Sequence, residues 1–227
     1  MDKKLTLLFI AGLHRSGTSV LHEIIREHPD VLGLKNTDAP EDEGQHIQNV
    51  YEPAYKYGGP GKFVFDRRAY MDENHYLVSQ KNANKIYNQW LANAADIKNE
   101  TFFVEKSPPN IIRTKFLNKL FPYSKFLILL RNPIAVAYAT QKWAKTPILS
   151  LIEHTLLAYK ILFDDLNTLS SPHYILRYEN FVSNPQQNMD DVYDFLRISK
   201  QKNFKEIRPD VNQKYIQIWE NEKSEIM

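Results

Sequence analysis

The chain has 227 residues, 43% of them hydrophobic and 25% charged, with a formal net charge of +2. That length supports one sizeable core, and that balance is ordinary for a globular chain. The weak positive charge is too small to argue for nucleic acid or an anionic membrane surface, and the absence of cysteine excludes disulfides, thiolate nucleophiles and cysteine-ligated metals.

Residues 5–11 (LTLLFIA) form a continuous apolar run, the pattern of a strand covered on both faces. Lysines precede it, as in a signal peptide, but the run passes straight into a glycine loop with no separate cleavage region. No apolar stretch reaches the roughly 20 residues of a membrane span. The expectation is a cytoplasmic chain with no membrane partner. Val20, Leu21, Ile24 and Ile25 then recur at helical spacing, predicting a helix over 18–27. Residues 35–62 are polar, then rich in proline, glycine and aromatics, and predict a long functional loop. Asp72 is the expected cap of a helix reaching about residue 95, with Ile86, Trp90 and Leu91 inward.

TFFVE at 101–105 predicts a second strand, and 111–121 a helix ended by Pro122. KFLILL at 125–130 is another buried strand, and Asn132-Pro133 opens a helix to about Trp143. Residues 147–169 predict a long helix with Leu151, Leu156, Tyr159 and Phe163 inward. HYILRY at 173–178 reads as a strand, and Asn184-Pro185 starts a helix to about Leu196. The tail from Arg197 is polar with scattered aromatics and ends in a helical pattern. Alternating strands and helices predict an α/β fold with a parallel sheet flanked by helices on both faces. The expectation is one domain over 1–227, with a core of about 5–196 and a tail of 197–227.

Parallel sheets bind ligands at the carboxyl ends of their strands. Four polar segments stand there: GLHRSGTS, EKSPPN, RNP and YENF. In the first, a glycine turn between strand and helix aims backbone N–H groups at one spot, where the helix dipole adds positive charge. Arg15 adds a full charge, and Thr18 and Ser19 add hydroxyl donors. The spacing GxxxxG runs from Gly12 to Gly17, yet Thr18 stands where a nucleotide triphosphatase places its lysine. KFLILL ends in Arg131 rather than the magnesium-holding aspartate of such enzymes. Arginine suits bidentate recognition of phosphate, so the expected ligand is an anionic nucleotide handled without a metal.

These segments resemble the sulfotransferases that use 3′-phosphoadenosine 5′-phosphosulfate, particularly the branch with tyrosylprotein, heparan and bacterial sulfotransferases. The resemblance covers about residues 5–185 and includes HPDV, EKSPPN and LRYENFVSNP. It implies a P-loop-type fold in which Arg15, Ser16, Gly17, Thr18 and Ser19 hold the 5′ phosphosulfate. Arg131 then binds the 3′-phosphate, Tyr178 contacts the cofactor, and Arg208 in IRPDVN lies near the 3′ end. One departure is Ala139, where the family usually has a serine; Thr140 and Lys142 are the candidates to compensate. Glu43 is favoured as the base that takes the acceptor proton, with Glu41 and His46 as rivals. Lys106 is the second catalytic cation, with Glu105 as its ion-pair partner. The expected acceptor is a hydroxyl on a carbohydrate, phenol or small molecule. A P-loop kinase and a catalytically inactive nucleotide-binding protein are the alternatives. His22 and His154 read as packed or surface histidines. Residues 51–70 read equally as an acceptor wall or as core packing with solvated charge.

Overall fold

The structure, a computed structural model, describes residues 5–95, 97–202 and 211–226. Its strands are β1 (Thr6–Ala11), β2 (Val31–Gly33), β3 (Phe102–Lys106), β4 (Lys125–Leu130) and β5 (His173–Arg177). They form one sheet in the order β2-β3-β1-β4-β5, and every pairing is parallel. The central strands β1, β3 and β4 are the apolar runs. They sit where both faces are covered, which is what such runs require.

Helices lie on both faces, and the pleat of β1 divides the core between them. Leu7, Phe9 and Ala11 pack with Trp90 of α2 (Gln80–Leu91), Phe116 of α3 (Thr114–Leu120) and Leu162 of α5 (Ile148–Leu166). Leu8 and Ile10 point the other way, onto Leu21 and Ile25 of α1 (Thr18–Arg26) and Val192 of α7 (Pro185–Leu196). Each such side chain contributes roughly 1.5–3 kcal/mol when fully buried. A one-residue slip in β1 would exchange the two sets, so the register is strongly specified. A smaller cluster joins Ala137 and Tyr138 of α4 (Pro133–Gln141) to Leu151 and to Tyr215 of α8 (Gln213–Ile226). No helix among the described residues is long and apolar enough to cross a membrane.

Four expectations need correction. Helix α2 starts at Gln80, capped by Ser79, whose Oγ accepts from Asn82 N at 3.2 Å; Asp72 instead closes a local turn by accepting from Asn74 N. The buried face of α5 is Leu151, His154, Thr155, Ala158 and Leu162, while Leu156 is 51% and Phe163 45% exposed. Tyr159 does face the core, and its hydroxyl bonds the backbone of Arg131. The segment over 111–121 divides into a 3-10 turn, Pro108–Ile112, and the short α3, because two prolines open it. Tyr178 does not end β5 but begins a further helix, α6 (Tyr178–Ser183). Strand β2 has no counterpart in the sequence reading, since three residues carry too little alternation to be seen.

Candidate active site

The loop between β1 and α1 is held open by its own bonds. Ser16 spends both N–H and Oγ–H on the carbonyl of Leu13, at 3.1 and 2.6 Å. Gly17 has φ 98°, and a Cβ there would lie 2.7 Å from the Tyr178 ring. Glycine therefore permits both the left-handed turn and the close approach of that ring. Arg15 also has positive φ, 65°. This turn presents its carbonyl to Arg131, whose Nη1 donates to it at 2.6 Å. The two arginines expected to grip an anion are thus joined through one backbone carbonyl.

Arg131 follows β4 directly and is mostly buried. Its Nε donates to Asn212 Oδ1 at 2.8 Å, and its guanidinium lies 4.2 Å from the centre of the Tyr178 ring. Its Nη2 is buried with no hydrogen-bond partner among the described residues. Arg15 lies over Trp143, 4.5 Å from the ring centre.

An acidic wall is built from the loop after β2. Lys106, only 1% exposed at the end of β3, donates from Nζ to Glu43 Oε1 at 3.0 Å and approaches Glu41 Oε2 at 3.4 Å. Ser19 Oγ donates to the same Glu41 carboxylate, and Gln45 Nε2 to Glu43. Burial pushes the Glu43 carboxyl up, but His46 and the charge of Lys106 outweigh it and hold it at about 2. At 3.7 Å His46 Nε2 is too long for a hydrogen bond, so the 3.0 Å contact with Lys106 is the stronger hold. Glu105 is not the partner of Lys106. Its buried carboxylate accepts from Gly44 N, Ser107 Oγ and Asn110 Nδ2, and Ser107 Oγ accepts from Gln45 N. Those bonds tie the Glu43 loop to β3. His14 completes the wall. Burial lowers its imidazole to about 4, so it is neutral near pH 7.

Arg15, Gly17, Thr18, Ser19, Glu41, Glu43, His46, Arg131, Tyr178 and others line one cavity of about 540 Å³. Lys106 does not line it but bonds Glu43, which does. Among the expected cofactor residues, Ser16 turns its donors into the loop itself, and the Ser19 hydroxyl is spent on Glu41. Arg208 lies outside the described residues. Ala139 is buried in α4 against the core; Thr140 is buried beside His14 and His154, and Lys142 lies over Tyr215, so neither lines the cavity. Segment 51–70 divides between core and cavity. Tyr51, Ala54, Phe63, Val64 and Ala69 are core, while Tyr55 and Pro60, with Ala54, face the cavity. His22 and His154 are buried, packed histidines. The sequence reading missed His14, Gln45, Trp143, Glu179 and Asn212. Trp143, Glu179 and Asn212 carry no spacing signal because the groups they meet are distant in the chain.

Fold and site together define a class: an α/β protein of the P-loop type, with a glycine loop and two arginines at the carboxyl ends of its parallel strands. Residues 8–202 match the model described as "Sulfotransferase family", and the chain belongs to that family. It is 25% identical over 214 residues to protein-tyrosine sulfotransferase 2 of Gallus gallus, covering 87% of this chain and 53% of that protein. It is 25% identical over 147 residues to the nodulation protein NoeE of Sinorhizobium fredii, covering 63% of this chain and 33% of that one. The chain thus spans about half or less of the length of these curated relatives. The sulfotransferase domain of the Synechococcus PCC 7002 olefin synthase shares the fold, with a TM-score of 0.58 at 18% identity, covering 95% of this chain and 90% of that domain.

Proposed function

We propose that this protein transfers a sulfuryl group from 3′-phosphoadenosine 5′-phosphosulfate to an acceptor hydroxyl. The observation that carries the reading is the shared cavity, lined by two linked arginines and a lysine-paired glutamate. The residues suit such a donor. Arg131 lines the cavity and its Nη2 has no partner among the described residues, which leaves it a donor for an anion, and the loop of Gly17–Ser19 opens a helix N-terminus onto the same space. Arg131 with Tyr178 would hold the 3′-phosphate end, and Arg15, Gly17, Thr18 and Ser19 the 5′ end. When bound, the donor supplies an electrophilic sulfuryl group on a phosphate leaving group.

The chain's own residues supply the rest. Arg15 neutralises charge growing on the leaving phosphate. Glu43 accepts the proton of the acceptor hydroxyl as its oxygen attacks sulfur. Lys106 keeps Glu43 ionised, and an anion entering the cavity competes for its ammonium, freeing the carboxylate to act as base. Preorganised charges of this kind supply most of the rate in the analogous phosphoryl transfers. The acceptor is a carbohydrate, a phenol or another small hydroxyl compound. His46 stacked on Tyr55 and the exposed Trp143 offer flat surfaces to such a ring.

The test is a thermal-shift comparison of 3′-phosphoadenosine 5′-phosphate, ADP and magnesium-ATP. At a hundred times its Kd a ligand stabilises the folded state by roughly 2.7 kcal/mol. The bisphosphate should give the largest shift. Stabilisation by magnesium-ATP alone would replace this reading with a kinase.

A further inference from the structure

We propose that Asn212 is a positioning residue for Arg131, and that through it the C-terminal helix α8 becomes part of the nucleotide site. The inference rests on the sulfotransferase reading, in which Arg131 meets the 3′-phosphate. A guanidinium has five N–H donors in one rigid plane, so its aim is set by whatever holds its edges. Here Asn212 Oδ1 accepts from Nε at 2.8 Å and the Arg15 carbonyl from Nη1 at 2.6 Å, while the Tyr178 ring covers one face. Of the donors left over, those of Nη2 are buried and without a partner among the described residues. Asn212 therefore helps decide which donor remains for a ligand.

Asn212 is itself oriented. Its Nδ2 donates to Glu179 Oε1 at 2.6 Å, and the same oxygen accepts from Asn132 N at 2.9 Å. Turning the amide over would set NH2 against the guanidinium and the carbonyl against the carboxylate, so the network permits one orientation. The amide also stands between Glu179 and Arg131. A direct Glu–Arg pair would orient the guanidinium but neutralise it. A neutral amide orients it and leaves its charge for an anion.

The link continues into α8. Tyr215 stacks on Tyr138 with ring centres 6.5 Å apart, and Tyr138 OH donates to Glu222 Oε2 at 2.9 Å. Val211, next to Asn212, lines the cavity. Because binding linkage is reciprocal, a ligand that engages Arg131 must also stabilise the docked α8.

The test is calorimetric titration of the full chain with 3′-phosphoadenosine 5′-phosphate and with adenosine 5′-phosphate, which lacks the 3′ group. In Asn212→Ala the bisphosphate should bind about tenfold more weakly, as loss of one hydrogen bond to a charged group implies, while the monophosphate changes less than about twofold. Asn212→Asp keeps the volume but neutralises Arg131 and repels Glu179, so it should lose at least as much. Hydrogen exchange should show the bisphosphate, and not the monophosphate, protecting α8, and that difference should vanish in Asn212→Ala. If the unmodified chain prefers the bisphosphate and both variants lose the two nucleotides equally, or lose neither, Asn212 is merely structural and the proposal is overturned. An unmodified chain with no preference removes the role of Arg131, and the proposal with it.

Discussion

At the scale of single residues, the pair Glu43 and Lys106 shows what residue type and place can tell. Both were singled out by segments that carry the resemblance, Lys106 in EKS and Glu43 about a dozen residues beyond HPDV, yet nothing in the chain pairs residues 63 apart in number. The fold does so by binding Gly44 N to Glu105, the neighbour of Lys106. In Lys106→Met the burial of Glu43 persists while its nearest cation is lost. Its carboxyl should therefore move up from about 2, and carboxyl NMR titration reads this directly. Lys106→Met and Glu43→Gln should each slow single-turnover transfer from labelled donor by about 10²–10³. Near-normal transfer in either variant takes that residue out of the mechanism. Ser16 shows the opposite limit. Its type suits a phosphate, but only the structure reveals that Leu13 already takes its donors.

At the scale of elements, β1, β4 and the helix after Asn132 were legible because each is specified locally. A continuous apolar run signals a buried strand. Asn132 Oδ1 accepts from Ile134 N and Ala135 N, with Pro133 in the first turn. The start of α2 was misplaced because DENHYLVSQ holds several capping residues and propensity alone does not rank them. Ser79→Ala should cost about 1 kcal/mol in urea unfolding. Asp72→Ala, in an exposed turn, should stay within about 0.5 kcal/mol. Equal losses would mean the helix start is not set by Ser79. The inward face of α5 was misjudged for a related reason. Apolar residues surround that helix, so periodicity did not single out the stripe that His154, Thr155 and Ala158 complete.

At the scale of the whole molecule, folding buries titratable groups the sequence leaves undistinguished. Burial lowers His14 to about 4 and His22 and His154 to about 3, all below the unfolded value of 6.5. The unfolded chain thus takes up protons first, so this stability is complete above pH 6.5 and is lost as pH falls toward 4 and 3. Glu43 and Asp42 add a second loss as pH falls from the ordinary carboxylate range toward about 2, because their folded values are depressed. Urea unfolding at pH 5 should show a loss on the order of 1–2 kcal/mol per buried histidine relative to pH 7.5. His154→Leu should flatten that slope, and an unchanged slope would show that His154 does not titrate with unfolding. The sequence by itself determined four of the five strands and most of the helices between them, the glycine loop and the two arginines, because these are local patterns of periodicity, turn chemistry and charge. Tertiary structure alone decided that Arg131 bonds the Arg15 carbonyl, that Lys106 faces Glu43, and that Asn212 returns from the tail to bond Arg131. Such contacts depend on strand order and register, which bring distant residues together by packing rather than by any spacing along the chain.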